Sequence, residues 1–159
     1  MIIIVCAFLG CIIGVTLTTK YKKRYLFYKE LNEFFSFVKH SISFSQKLLG
    51  DITLEFFENR KKNLFNYQNY LDFLNSKSLK SCFDMEDCDF LKNEEKKDVV
   101  EYFNQLGKLN LKEEVEKIQT IISAISICKE EKQADFKKYS NIFIKLGLLF
   151  GLGIGIILI

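Results

Sequence analysis

No charged side chain occurs before Lys20 or after Lys145, so a charged middle is closed at each end by an apolar run. Residues 2–19 read Ile-Ile-Ile-Val-Cys-Ala-Phe-Leu-Gly-Cys-Ile-Ile-Gly-Val-Thr-Leu-Thr-Thr. As a helix they reach roughly 27 Å, close to the hydrocarbon thickness of a bilayer. Residues 146–159 alone reach about 21 Å, which is short of a bilayer. Starting that segment at Asn141, with Lys145 stretched toward the headgroups, gives roughly 28 Å. The pattern predicts membrane helices over 2–19 and 141–159, with a domain of residues 20–140 between them. A shallow or re-entrant insertion is the alternative for the second segment. A cleaved signal peptide fits the first poorly, because no basic stretch precedes it and no A-x-A site follows. Lipidation at Cys11 would leave Ile12 to Leu17 as an apolar stub.

Orientation follows from the flanks. Lys20, Lys22, Lys23 and Arg24 abut the first segment, and Lys137, Lys138 and Lys145 abut the second. Basic residues gather on the cytoplasmic side of membrane helices. The expectation is therefore a membrane hairpin with its middle in the cytoplasm and both termini outside. Within the apolar runs, Gly10 and Gly14 are four residues apart, as are Gly147, Gly151 and Gly155. That spacing puts small residues on one helix face and lets two backbones approach closely in lipid. It predicts a glycine-lined contact between the two spans, or between subunits of a homo-oligomer. The plainer reading, that glycine is common in membrane helices, weighs equally.

The middle contains no proline and reads as helix throughout. Leu31, Phe34, Phe35, Val38 and Ile42 recur at helical spacing, and nothing between Thr18 and Lys29 would stop the first span from running into this helix. Gly50-Asp51 is expected to end it and start the next, with Leu54, Phe57, Phe65, Tyr70 and Phe73 buried. Residues 75–92 are polar and aperiodic. Asp84, Glu86, Asp87 and Asp89 within them invite a calcium reading, but the turn glycine is missing and Cys88 stands where a ligand belongs. Asn93 is expected to cap one helix and Asn110 the last. From there Val115, Ile118, Ile122, Ile125, Phe136, Tyr139, Phe143 and Leu146 keep one register, interrupted by Lys129 and Lys132. The seam is expected to be buried from Val115 to Ile125 and free near Lys129, where the helix leaves the bundle and continues to the membrane as a stalk. The fold class is all-α: a cytoplasmic helical bundle between two terminal transmembrane helices.

Several functions are excluded or disfavoured. A net charge of +3 is too weak for a nucleic-acid partner. The five cysteines include no CxxC pair, and with one histidine a zinc site is improbable. No Ser/His/Asp or Cys/His set assembles around His40, and no glycine-rich phosphate loop exists. The expectation is a non-enzymatic protein without cofactor or metal.

Three local patterns carry a family resemblance. Ile42-x-Phe44-x3-Leu48-Leu49 resembles E-I-x-Y-x3-P-L, with Ser41 and Leu48 in place of Glu and Pro. Phe103-x2-Leu106-Gly107-x2-Asn110-x3-Glu114 resembles F-x2-L-G-x2-D-x3-Q. Tyr139-x6-Leu146-Gly147, then Gly151-Leu152 and an apolar tail, resembles the same family's ending. The chain resembles stage III sporulation protein AB, a component of the channel between mother cell and forespore. The order and spacing of the patterns are specific, although no single one is. The resemblance implies a non-enzymatic platform subunit in the mother-cell membrane around the forespore, similar to the platform protein of type II secretion. It implies a secretion-type ATPase and other stage III sporulation channel proteins as partners. A membrane-tethered helical adaptor or regulator is the alternative. The departures matter unequally: Asn110 keeps a good cap, Leu48 blunts a turn, and Glu114 loses an amide donor.

Overall fold

The computed structural model describes residues 2–45, 47–58, 60, 63–75 and 88–157. These form α1 (Ile2–Ser45), α2 (Leu49–Glu58), α3 (Tyr67–Asn75), α4 (Asn93–Gln105) and α5 (Leu111–Ile157), with no strand among the described residues. Two compact units are present: residues 1–25 with 130–159, and residues 26–129. The acidic cluster at Asp84, Glu86 and Asp87 lies outside the described residues, as does Cys82.

α1 runs unbroken from the apolar end into the charged middle, as the absence of a breaker after Thr18 predicts. It stops at Ser45, several residues earlier than expected. Gly50 and Asp51 do not end it but sit in the first turn of α2, where the carboxylate of Asp51 meets the positive end of the helix dipole.

The unit of residues 26–129 is built around aromatic rings. α1 supplies Phe27, Leu31, Phe34, Phe35 and Val38, a run at three- and four-residue steps that lines one helix face. α3 adds Tyr67, Tyr70 and Leu71, α4 adds Val99 and Phe103, and α5 adds Ile118, Ile121 and Ile125. On α2 the buried face is Ile52, Thr53 and Phe56, and Leu54 points outward, against the sequence expectation. Thr53 fits the interior because its hydroxyl donates to the Leu49 carbonyl at 2.7 Å. Ile121 joins Ile118 and Ile125 on α5, whereas Val115 and Ile122 are half-buried.

Helix starts are fixed by carboxylates. Asn93 is the first residue of α4 and not its cap. The flanking residue is Lys92, whose backbone N–H donates to the buried carboxylate of Glu95 at 2.8 Å. For α5 the cap is Asn110, whose Oδ1 accepts the Glu113 N–H at 3.1 Å. Glu114 is buried and accepts the N–H groups of Gly107 at 2.7 Å and Leu109 at 3.3 Å, one with each carboxylate oxygen. A glutamine could accept at one atom only, so the amide donor missing here has no task in this turn. Gly107 has φ of 76°, a conformation glycine adopts without steric penalty.

Glu30 ties α1 to the connection before α3. Its buried carboxylate accepts the Leu64 N–H at 3.0 Å and the Phe65 N–H at 3.4 Å. Burial raises the carboxyl above its usual range, and this outweighs the opposing effects of those two N–H groups, Arg60 and Tyr67. Arg60 is itself ion-paired with Glu33. A carboxyl with a raised folded-state pKa contributes stability that is fully present below its unfolded pKa and lost as pH rises through the folded one. Wild type should therefore gain thermal midpoint relative to Glu30→Gln as pH is lowered from 7 toward 4.5. Circular-dichroism melts of both proteins at the two pH values check this; a difference that is flat or reversed in sign would rule it out.

Candidate functional site

The unit of residues 1–25 with 130–159 holds the apolar ends of α1 and α5, which are both long and apolar enough to cross a membrane. Their apolar side chains mostly face outward, with Ile4, Phe8, Ile13, Phe150 and Ile156 all more than half exposed. The faces turned toward each other are small. A methyl placed on Gly10 would land on the Gly147 carbonyl oxygen and lie 3.1 Å from the Gly151 Cα. One on Gly14 would lie 2.5 Å from the Phe143 carbonyl oxygen and 3.1 Å from the Ile144 Cα. One on Gly151 would meet the Cys6 carbonyl and come within 2.8 Å of the Ala7 Cα. The two backbones therefore touch at Gly10, Gly14, Gly147 and Gly151. Gly155 is buried one step further along the same face of α5. Gly153 faces away, and a methyl added there would have nothing within 4 Å. An apolar groove of about 560 Å³ runs over this seam, between Leu9, Ile13 and Leu17 on one side and Leu146, Phe150 and Ile154 on the other.

The seam continues in the same register toward the charged ends, and its chemistry changes there. On α1, Gly10 and Gly14 are followed by Thr18, Tyr21 and Tyr25; on α5, Gly151 and Gly147 are followed by Phe143, Tyr139 and Phe136. Thr18 is buried, and its hydroxyl donates to the Val15 carbonyl at 2.7 Å. Thr16 does the same to Ile13 at 2.7 Å. Neither hydroxyl then needs water, which suits a helix end leaving an apolar phase. The Tyr21 and Tyr139 rings stack at 4.5 Å, and the Tyr25 and Phe136 rings lie parallel at 6.3 Å. Glycine thus gives way to aromatic side chains where the basic residues begin. The sequence reading places Phe136, Tyr139 and Phe143 in the α5 register but misses Tyr21 and Tyr25 and the pairing of the two rows, although the signal is present in the three- and four-residue steps from Gly14 to Tyr25.

The basic residues fall into two groups. Lys20, Lys22, Lys23, Lys137, Lys138 and Lys145 are all exposed. Lys138 also places its ammonium 5.7 Å from the Tyr139 ring centre. Arg24, by contrast, is buried, so its guanidinium is not displayed beside the three neighbouring lysines. Lys132 is buried too, with its ammonium 2.8 Å from Glu131. Lys132 interrupts the apolar register without opening it to solvent, as long cationic side chains can: the apolar stem packs while the tip reaches a carboxylate. Residues 1–25 and 130–159 together carry eight basic and three acidic side chains, an excess confined to the charged end of this unit.

Chemistry of other kinds finds little support. No group of His, Cys, Asp and Glu able to hold a metal occurs among the described residues. Cys6 and Cys11 are free thiols in the apolar part of α1, and Cys88 is buried in the aromatic unit. His40 is exposed, with its ring 4.6 Å from that of Phe44.

A family model described as stage III sporulation protein AB matches residues 1–159, the whole chain, and the chain belongs to that family. No curated protein and no solved structure matches it.

Proposed function

From that membership we propose that the chain is a non-enzymatic platform subunit of the stage III sporulation channel, held in the mother-cell membrane around the forespore. The whole-length family match carries this reading, and the two apolar helices with exposed lysines at their charged ends support it. In this reading residues 2–19 and 141–159 cross the bilayer. The glycine seam lets the two helices pack backbone to backbone, where dispersion contacts replace the missing hydrophobic drive. Tyr21, Tyr25 and Tyr139 sit at the depth of the headgroups, the zone that aromatic side chains with a polar tip prefer. Lys20, Lys22, Lys23, Lys137, Lys138 and Lys145 form a collar facing anionic lipid, each contributing roughly 1 kcal/mol near a charged membrane surface. The helical domain lies in the cytoplasm and meets a secretion-type ATPase there, while the spans stand among the other channel proteins. Its work is mechanical and organisational.

Topology provides the direct test. In non-sporulating cells made to express the chain, where the outward face of the membrane meets the medium, single cysteines at Met1 and Ile159 in a background without native cysteines should react with a membrane-impermeant maleimide in intact cells. A cysteine at Glu101 should react only after lysis. Labelling of Glu101 in intact cells, or protection of either terminus, would overturn the cytoplasmic placement of the domain and with it the ATPase contact.

A further inference from the structure

The glycine and aromatic contacts fix how the two apolar helices lie alongside each other, and their charged boundaries do not match. The Tyr21 and Tyr139 rings stack at 4.5 Å, so Lys20 stands level with the turn of Tyr139. A methyl on Gly14 would lie 3.1 Å from the Ile144 Cα, which puts Lys145 at the depth of Gly14. Gly14 is six residues from Lys20, roughly 9 Å further into the apolar end. In that interval the hydroxyls of Thr16, Thr18 and Thr19 all donate to carbonyls of their own helix, at Ile13 and Val15. Val15 and Leu17 between them are more than half exposed. This stretch of α1 is therefore suited to hydrocarbon and not to water. The facing stretch of α5 is different. Lys138, Asn141 and Lys145 are exposed and follow one another at steps of three and four residues, on the face turned away from the seam. A polar strip thus descends one flank of the hairpin to a depth where the other helix is apolar.

At that depth Lys145 needs an anion. No carboxylate occurs in residues 1–19 or 136–159, and Asp135 is ten residues back along α5, roughly 15 Å away. A second copy of the chain would bring none to this level either. Helical side chains lean toward the N-terminus of their helix, which for α5 is the charged end. The Lys145 stem therefore covers the turn of Asn141, which carries an amide donor, and its ammonium is directed toward the headgroups. We propose that Lys145 and Asn141 hold the phosphate of one anionic phospholipid, drawn below the headgroup plane along the outer face of α5, with Lys138 closing the site from above. Charge-assisted bonds to phosphate strengthen where water is scarce. A zwitterionic lipid would bring its own cation against Lys138, so the anionic one fits. The inference rests on the two apolar ends crossing the bilayer, as proposed above, and not on the platform role.

The test uses the full chain in nanodiscs of equal parts phosphatidylglycerol and phosphatidylcholine, released into mild detergent so that native mass spectrometry counts the lipid still bound. Wild type should retain phosphatidylglycerol in preference to phosphatidylcholine. Lys145→Gln should lower that preference roughly fivefold, the equivalent of about 1 kcal/mol for one cation at a charged lipid. Lys145→Arg should restore it. Lys29→Gln, the same loss of charge at an exposed lysine nine residues beyond Lys20, should leave it unchanged. Spin labels at Ile13 and Leu146, in a chain without native cysteines, should report nearly the same depth in the same nanodiscs. A Leu146 label at the headgroups with Ile13 deep would overturn the inference by removing the offset between the helices. A lipid preference equal in wild type and Lys145→Gln would overturn it too, and would leave Lys145 to an acidic side chain on a partner's membrane helix. Both labels in water would overturn the membrane crossing itself, and the site with it.

Discussion

Phe103→Ala should lower the stability of the aromatic unit by about 3–5 kcal/mol, as deletion of a fully buried ring generally does. Phe103 is 1% exposed on α4 and stands at the meeting point of four elements. Its ring centre lies 4.9 Å from that of Phe65, 4.6 Å from Tyr70, 5.4 Å from Phe35 and 5.6 Å from Phe34. The Phe65 ring lies parallel to it and the Tyr70 ring nearly edge-on, two arrangements that aromatic pairs favour beyond their buried area. Alanine would leave all four neighbours facing a void that stiff rings cannot close. A domain of this kind has only about 5–15 kcal/mol in total, so the variant should melt far below wild type or fail to fold. Leu54→Ala is the matched control: Leu54 is 46% exposed and should change stability by less than about 0.5 kcal/mol. Circular-dichroism melts of the full chain in nanodiscs read both. Equal effects from the two substitutions would show that the rings do not form the cooperative core.

Helices are legible in the sequence because their signal is local. The steps from Phe27 to Val38 and from Ile118 to Ile125 need no knowledge of a partner to be read as one face. The unbroken α1 follows from the same local logic, since nothing after Thr18 resists helix. Choices that depend on contacts distant in sequence are not legible in this way. Whether α2 buries Ile52 or Leu54 depends on a small rotation of a short helix, and its packed neighbours decide it. The bonds from Glu30 to the N–H groups of Leu64 and Phe65 join residues 34 and 35 positions apart, and no spacing rule marks such a pair. Lys132 reads as a break in an apolar seam only while charge is equated with exposure; its stem packs and its tip finds Glu131. Composition puts the turn between α1 and α2 at Gly50, yet glycine at that point is tolerated inside the first turn of α2. In the apolar ends the glycine repeat is visible, but a repeat alone does not choose between partners. The geometry within the unit is what brings Gly10 and Gly14 to Gly147 and Gly151.

Gly10→Val should open the hairpin. A Cβ at that position would clash with the Gly147 carbonyl oxygen and lie 3.1 Å from the Gly151 Cα, so backbone, and not a movable side-chain tip, stands in its way. Overpacking of this kind costs about 1–3 kcal/mol when the surroundings can shift. A membrane helix pair held by close packing has little more than that to spare, since its lipid-exposed alternative is nearly as apolar and individual interhelical contacts are worth about 1–2 kcal/mol. Separation of the spans is therefore cheaper than strain. Spin labels at Ile12 and Leu149, both outward-facing, in a chain without native cysteines, measure the outcome in lipid. Wild type should give one narrow distance, and Gly10→Val a longer and broader one. Gly153→Ala should leave the wild-type distance intact, because nothing lies within 4 Å of the added methyl. Dilution with unlabelled protein then separates a contact within one chain from a contact between copies: a signal that fades on dilution belongs to a homo-oligomer, and one that persists belongs to the hairpin. An unchanged narrow distance in Gly10→Val would mean that the close approach of the two backbones is not what holds the spans together, and that the aromatic stack of Tyr21 on Tyr139 carries the pairing instead.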